Sequence, residues 1–349
     1  MSIKPINIAG FEISENSKPF IIAEMSGNHN QSLDRALEIV EAAAKAGAHA
    51  IKLQTYTADT MTIKGVLTIH DENSLWKGRE LHELYQEAYT PWEWHQPIFE
   101  KAKSLGLIAF STPFDETAVD FLESLDVPVY KIASFENTDL PLLKKVASKG
   151  KPVIISSGAA TIANLDEAIQ TLRSNGCNDI VLLKCTSTYP ATPENTNLIT
   201  IPHMKDLFQC IVGLSDHTMG IGASIAAVAL GARVIEKHFT LRRADGGVDS
   251  SFSIEPEELK NLVVESERAF LAMGRIQYGV QKAETKSVDY KRSVYVSKDI
   301  KAGDIFTKEN TRVIRPGFGI APKFYESIVL GKAASRDIKA GTPLTWEIL

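Results

Sequence analysis

The chain has 349 residues, enough at roughly 100–200 residues per domain for one large domain or a large one plus a small one. With 44% hydrophobic and 23% charged residues it is neither a charge-dominated disordered polymer nor a membrane protein, and no run approaches about 18 uninterrupted apolar residues. A formal charge of -5, from 38 Lys+Arg against 43 Asp+Glu, excludes a general nucleic-acid-binding face, so an anionic ligand must meet a local cluster of cations. The cysteines Cys177, Cys185 and Cys210 form no CxxC, which suggests neither a disulfide framework nor a zinc ribbon and makes a reducing cytoplasm the expectation. The stretch Met1–Ile8 lacks the basic-then-apolar run of a signal peptide, so neither secretion nor a membrane partner is expected.

In chain order, Ile6–Lys18 alternates apolar residues around Gly10 and reads as a hairpin closing one end of the fold. From Phe20 to about Phe239 one pattern recurs: a short β-branched run, polar or ionisable residues, then a helical-period segment ending near Gly. The predicted strands are Phe20–Ala23, Ala50–Leu53, Leu107–Phe110, Val127–Ile132, Pro152–Ile155, Ile180–Leu183, Ile211–Leu214 and Val234–Ile235. Helices are predicted over Leu33–Ala46, with Ser32 as N-cap and Gly47 beyond, and over Trp92–Leu105, Thr117–Leu125, Ile162–Arg173, Ile221–Leu230 and Pro256–Met273. Eight strands with crossover helices in about 220–270 residues is the arithmetic of a (β/α)8 TIM barrel, and no G-x-G-x-x-G follows the first strand to favour an open doubly wound sheet. The second connection, Tyr56–Thr90, is long and carries Trp76, Tyr85 and Tyr89, as expected of a lid or rim over the barrel mouth. A boundary is expected near residue 285, dividing the chain into 1–284 and 285–349. The β-rich tail holds a near repeat, Ser297-Lys-Asp-Ile-Lys-Ala-Gly and Ser335-Arg-Asp-Ile-Lys-Ala-Gly, which predicts a small pseudo-symmetric β-module.

Every predicted strand ends in polar residues: Glu24; Lys52 and Gln54; Ser111 and Thr112; Lys131, Ser134 and Glu136; Ser156 and Ser157; Lys184 and Thr186; Ser215, Asp216 and His217; Glu236 and His238. Closing a barrel gathers such ends around one mouth, where barrel enzymes keep their chemistry. His217 and His238 end adjacent strands and suit either a divalent metal with open positions or paired acid/base chemistry. Lys52, Lys131 and Lys184 would attract a phosphate or carboxylate, unless they pair with Glu24, Glu136 and Glu236; charge counting does not choose.

The motifs Ile22-Ala-Glu24-Met-Ser-Gly-Asn28-His29, Lys52-Leu-Gln54-Thr, Phe110-Ser-Thr-Pro-Phe114, Tyr130-Lys-Ile-Ala-Ser-Phe-Glu136, Lys184-Cys-Thr-Ser-Thr-Tyr189-Pro, Gly213-Leu-Ser-Asp-His217-Thr, Glu236-Lys-His238-Phe-Thr and Asp249-Ser-Ser-Phe-Ser occur in order. Together they resemble the sialic acid synthase family, enzymes that condense phosphoenolpyruvate with an acetamido sugar; the resemblance spans essentially the whole chain. The tail, with Arg315-Pro-Gly, is similar to the antifreeze-like (SAF, β-clip) domain that ends these synthases. The resemblance implies that His217 and His238 hold a divalent metal, Mn2+ foremost with Co2+ or Mg2+ as alternatives. It implies that Lys52, Thr112, Lys131, Ser134, Ser156 and Ser215 bind phosphoenolpyruvate, and that Gln54, Phe135, Tyr189, Asp249 and Arg315 face the sugar. Glu24 and Glu136 are the carboxylates expected to orient water or move protons. Arg315 would reach the barrel of a partner subunit, which implies a homodimer.

The segment Ala133-Ser-Phe135-Glu136 departs from the Gly-Ser-Gly-Glu of N-acetylneuraminate synthases and is similar to the branch that makes pseudaminic acid. An apolar Phe suits the methyl of a 6-deoxy sugar, here 2,4-diacetamido-2,4,6-trideoxy-altrose, whereas a hydroxymethyl would be left poorly paired. Legionaminic or N-acetylneuraminic acid synthesis is the alternative on the same chemistry, and a non-catalytic carbohydrate-binding protein the alternative of another class.

Overall fold

The computed structural model describes residues 3–72 and 74–349, which fall into two compact units divided between Gly274 and Arg275. The first unit opens with an antiparallel hairpin, β1 (Ile6–Ile8) and β2 (Phe11–Ile13), turning through Ala9 and Gly10 at φ 48 and 90. Eight parallel strands then close into a barrel: β3 (Phe20–Glu24), β4 (Ala50–Thr55), β5 (Ile108–Pro113), β6 (Tyr130–Ile132), β7 (Val153–Ser156), β8 (Ile180–Cys185), β9 (Ile211–Asp216) and β10 (Val234–His238), with β10 pairing β3. The helices between and after them are α1 (Leu33–Ala46), α2 (Ala58–Met61), α3 (Leu81–Ala88), α4 (His95–Ser104), α5 (Glu116–Ser124), α6 (Leu140–Ala147), α7 (Ile162–Ser174), α8 (Thr200–Phe208), α9 (Gly222–Ala229) and α10 (Pro256–Met273). The expected TIM barrel is the observed fold.

Local chemistry sets the helix ends. Ser32 accepts the Arg35 N–H at 3.2 Å and Gly47 turns left-handed at φ 87, so α1 has the expected limits. The helix expected over Trp92–Leu105 instead begins as a 3-10 turn, Trp92–Trp94, before α4 takes over at His95.

Strand alternation then sorts the side chains. Phe20, Ile22, Ala50, Phe110, Val129, Ile154, Val181, Leu183, Ile211 and Val234 fill the barrel interior, and Ile6, Ile8 and Ile13 of the hairpin pack into the same cluster, closing the N-terminal end as expected. The other parity, such as Ile21, Ile51, Leu53, Ile155, Leu182 and Ile235, faces the helices. Gly213 takes an interior place where a Cβ would stand 2.2 Å from the Val234 carbonyl oxygen and 2.6 Å from Leu183 Cδ2, so only a glycine lets the neighbouring strands fill that layer.

Seven strands run past the apolar stretches that predicted them. β4 ends at Thr55 rather than Leu53, β5 at Pro113 rather than Phe110 and β10 at His238 rather than Ile235. A strand edge that enters a polar cavity keeps its ladder while its side chains become polar, so the change in hydropathy precedes the end of the strand. The long second connection is folded: α2, a bridge between Thr68 and Glu80, and α3. Its Trp76 Nε1–H donates to the Val248 carbonyl at 3.1 Å, beyond the last barrel strand, so it crosses the mouth as the expected lid.

In the second unit, β11 (Ser293–Val296) pairs antiparallel with β12 (Thr311–Ile314) over a core that includes Val294, Phe306, Ile320, Val329 and Leu344. The near repeat folds as a pseudo-twofold: Ile300 and Ile338 exchange both backbone hydrogen bonds, at 2.9 and 2.8 Å. Lys301 Nζ pairs with Asp337 and Lys339 Nζ with Asp299, each at 2.7 Å. The boundary lies ahead of the expected 284/285 because the polar connection belongs to this unit: Lys282–Tyr290 forms 3-10 turns and the Gly317 N–H donates to the Asp289 carbonyl at 2.8 Å. Among the described residues no helix is long and apolar enough to cross a membrane.

Gly213→Ala forces the Val234 carbonyl and Leu183 to move and should destabilise the barrel by roughly 3 kcal/mol. Gly222→Ala, whose added methyl meets nothing, should stay within about 0.5 kcal/mol of the parent or gain stability. Urea unfolding of both variants checks the pair.

Candidate active site

The interior parity that carries apolar residues in the lower barrel turns charged one step higher. Glu24, Lys52, Lys131 and Glu236 lie two residues beyond Ile22, Ala50, Val129 and Val234, so their side chains converge inside the mouth. Lys52 Nζ stands 2.8 Å from Glu24 Oε2 and 3.5 Å from Glu236 Oε1, and Lys131 Nζ stands 3.4 Å from Glu236 Oε1. Lys52 also donates to Thr112 Oγ1 at 3.1 Å, and Ser215 Oγ donates to Glu236 Oε1 at 3.1 Å. With Lys52 only 3% and Lys131 only 2% exposed, these are buried charges that persist by mutual pairing. The pairing left open by the sequence is thus realised for Glu24 and Glu236. Lys184 sits on the outward parity of β8, where its amine donates to the Cys185 carbonyl and Thr186 Oγ1, so it does not join the cluster.

Burial disfavours each charge, and the neighbours decide the outcome. Glu236 is pushed up by burial, but Lys131 and Lys52 outweigh it and hold the carboxyl well below its usual range. Glu24 moves the other way, because burial and the nearby Glu236 exceed the attraction of Lys52. Glu136 makes no ion pair among the described residues, and burial outweighs the more distant attraction of Lys131 and pushes its carboxyl up to about 7.

One step higher still, His217 and His238 stand side by side with ring centroids 5.3 Å apart. Tyr189 packs over His217 at 4.5 Å, and Phe252 lies 5.0 Å from His238. His217 Nδ1 lies 3.0 Å from the Thr186 carbonyl, an arrangement that puts the proton on Nδ1 and leaves the Nε2 lone pair free. Behind the pair, on the outward parity, Lys237 Nζ bonds Asp216 Oδ2 at 2.9 Å and the Thr218 carbonyl at 2.6 Å, tying β9 to β10. The donor set fits a divalent metal held by two imidazoles, with His238 Nδ1 buried and without a hydrogen-bond partner. Among the described residues no group of three or more His, Cys, Asp or Glu stands in ligating geometry, so the remaining ligands would be water or substrate oxygens.

On the adjoining strand ends, Gln54 Nε2 donates to Glu24 Oε1 at 2.9 Å and to Ser26 Oγ at 3.0 Å, and Ser26 Oγ donates in a short contact to Asp249 Oδ2, the oxygen that stands 3.8 Å from His238 Nδ1. Ser134 Oγ accepts the Gly158 N–H at 3.2 Å. Ser156 Oγ, Glu136 Oε2, Glu236 Oε2 and His238 Nδ1 are buried with no hydrogen-bond partner among the described residues. Such atoms are costly unless a ligand or water meets them, and here they share one mouth. Phe135, on the turn Ser134–Glu136, is 63% exposed.

The fold therefore gathers Glu24, Lys52, Gln54, Thr112, Lys131, Ser215, His217, His238, Tyr189 and Asp249 through direct contacts, with Ser134, Phe135, Glu136 and Ser156 on the adjoining strand ends. Arg315 belongs to the second unit, where it is exposed just after β12. Ser26, Cys185 and Lys237 are the residues whose parts the sequence reading left out. Glu236, expected there as a possible partner of the lysines, shares the inward parity of His238. The inward side of Cys185, with its sulfur 3.8 Å from His217 Nδ1, follows in the same way from Leu183.

A family model described as the NeuB family matches residues 39–278, and one described as the SAF domain matches residues 291–349. A pseudaminic acid synthase of Campylobacter jejuni is 46% identical to this chain, over 94% of this chain and 96% of its own. An N,N'-diacetyllegionaminic acid synthase of Legionella pneumophila is 40% identical over 94% of each chain. The crystal structure of an N-acetylneuraminic acid synthetase from Leptospira borgpetersenii superposes with a TM-score of 0.74 at 32% identity, covering 83% of this chain and 96% of that one.

A carboxyl raised from 4.5 to about 7 stabilises the fold below pH 4.5, and that contribution is lost as pH rises through 7. Glu136→Gln removes the loss, so the variant should match the parent near pH 4 and exceed it by on the order of 2 kcal/mol at pH 8. Denaturant unfolding at the two pH values measures both.

Proposed function

The chain belongs to the NeuB family, and we propose that it condenses phosphoenolpyruvate with 2,4-diacetamido-2,4,6-trideoxy-altrose to give pseudaminic acid and inorganic phosphate. The observation that carries this reading is the mouth itself: two buried lysines among hydroxyls, beside unpartnered carboxylate, hydroxyl and imidazole atoms, at the C-terminal ends of barrel strands. For the sugar, the support is the higher identity to the pseudaminic acid synthase, 46% against 40% for the legionaminic acid synthase, and the apolar Phe135 exposed beside Glu136. Legionaminic acid synthesis is the second reading, since that relative covers the chain equally well.

In the reaction, C3 of phosphoenolpyruvate attacks the aldehyde carbon of the open-chain sugar and a carbon–carbon bond forms. Water adds to the cationic C2, and the tetrahedral intermediate expels phosphate by C–O cleavage. Lys52 and Lys131 donate hydrogen bonds to the phosphate and carboxylate, Thr112, Ser134 and Ser156 supply neutral donors around them, and Ser215 lines the same place with its proton on Glu236. The aldehyde oxygen gains a proton and the attacking water loses one, so the site needs an acid and a base. Glu136, half-protonated near pH 7, and Glu24 are suited to those tasks. Gln54, Tyr189 and Asp249 orient the sugar, and Phe135 receives its methyl. A divalent metal, manganese foremost, would be held by His217 and His238 and would supply polarisation of the aldehyde oxygen.

Charge balance also calls for that metal. Glu24, Lys52, Lys131 and Glu236 sum to zero before any ligand enters, so a phosphate-bearing substrate needs further positive charge. A metal provides part of it, and Arg315 from the second unit of a partner copy, in a homodimer, provides the rest. The buried free cysteines Cys177, Cys185 and Cys210 agree with a reducing, cytoplasmic setting.

Phosphate release from phosphoenolpyruvate should require the diacetamido-trideoxy sugar, with N-acetylmannosamine at least about 100-fold poorer in kcat/KM. Clear preference for N-acetylmannosamine or for the legionaminic acid precursor would reassign the sugar. His217→Ala and His238→Ala should each bind less manganese by elemental analysis and lose turnover. Undiminished activity of metal-stripped protein would sink the metal assignment.

A further inference from the structure

Ser26 combines two features the reaction described above does not use. It follows β3 at φ 47, in the left-handed region that residues with a side chain rarely adopt, and it is 3% exposed. The turn that contains it is held from outside: Asn28 Nδ2 donates to the Phe239 carbonyl and to Ser253 Oγ, both at 2.9 Å. The surroundings thus impose a backbone that glycine would adopt with less strain, yet the chain places a hydroxyl there.

That hydroxyl joins two walls of the mouth. A serine has one proton to give. It is given to Asp249 Oδ2, so toward Gln54 the oxygen acts as acceptor. Gln54 Nε2 has two protons, and both are then committed, one to Ser26 Oγ at 3.0 Å and one to Glu24 Oε1 at 2.9 Å. The only hydrogen-bonding capacity Gln54 has left is its carbonyl oxygen, an acceptor for a substrate N–H or O–H.

We propose that Ser26 is a positioning residue: its hydroxyl bridges Asp249 and Gln54 and holds the Gln54 amide with its carbonyl offered to an N–H or O–H of the sugar. The sugar half of this assignment rests on the synthase reading above; the bridge does not.

Ser26→Ala removes the hydroxyl and keeps the backbone demand. Ser26→Gly removes it while suiting the left-handed backbone, so that variant folds even if the alanine does not. In each, KM for the sugar should rise about tenfold, a change of about 1.4 kcal/mol, while KM for phosphoenolpyruvate stays within about twofold. In parallel, the two side-chain N–H signals of Gln54, identified by their loss in Gln54→Glu, report on the bridge by hydrogen exchange without substrate. One of the two should exchange at least about tenfold faster in both Ser26 variants, and the one bound to Glu24 should keep its rate. Unchanged exchange of both protons overturns the bridge. Faster exchange with an unchanged sugar KM overturns its role in sugar binding. A parent protein that turns over no sugar refutes the synthase reading instead, and the exchange rates still decide whether the bridge exists.

Discussion

Four charged side chains, Glu24, Lys52, Lys131 and Glu236, lie almost out of contact with water in the middle of the barrel mouth, and each is kept there by the next. Replacing such a cluster with apolar residues would often cost a fold nothing, whereas removing one member leaves a bare charge. A stability argument therefore does not account for its presence. It depends on the strand register: Glu24 faces Lys52 across one ladder and His238 across the other, and Glu236, two residues before His238, reaches both lysines. The hairpin that seals the lower barrel, the glycine at position 213 and the buried Lys237–Asp216 pair behind the histidines all serve that register.

The cluster also explains why the carboxylates differ. Glu236 faces two ammonium groups and is firmly ionised, while Glu24 faces one and also feels Glu236, and Glu136 feels Lys131 only from beyond ion-pair distance. Placement alone thereby divides three carboxylates of one chemical type into one held low and two raised, as acid and base work in a single cavity requires.

Much of this was legible in the sequence. Short β-branched apolar runs bounded by helical segments located all eight barrel strands, and Ser32, Gly47 and Pro256 marked helix ends correctly because capping is local chemistry. Strand ends were not legible, since hydropathy changes at Leu53 or Ile235 while the ladder continues to Thr55 and His238. For the same reason Lys184 looked like a partner of Lys52 and Lys131: all three are lysines at strand ends, and only the parity with Leu183, which faces the interior, sends Lys184 outward. The unit boundary was misplaced because a polar connection is indistinguishable from a linker until its partner, the loop at Gly317, is known. Long-range hydrogen bonds such as Ser26 to Asp249, 223 residues apart, leave no local signal at all.

Where the structure satisfies its polar groups and where it does not is the remaining indicator. Outside the mouth many buried polar side chains are knitted together, as where His95 bonds Thr55 and Asp216 receives Ser224, Thr218 and Lys237, and the unmet atoms there, on Asp115, Ser266 and Ser297, lie scattered along the chain. Inside the mouth, at the ends of β6, β7 and β10, Ser156, Glu136, Glu236 and His238 each keep a buried atom unmet among the described residues. A fold able to satisfy the first set had the means to satisfy the second, with a serine exchanged for alanine or a carboxylate given one more donor. These unmet atoms, carboxylate oxygens that call for donors beside a serine hydroxyl with a proton to give, suit with the two lysines a ligand that carries both anionic oxygens and N–H or O–H groups. Their desolvation is then already complete, and binding has only to supply the missing partners.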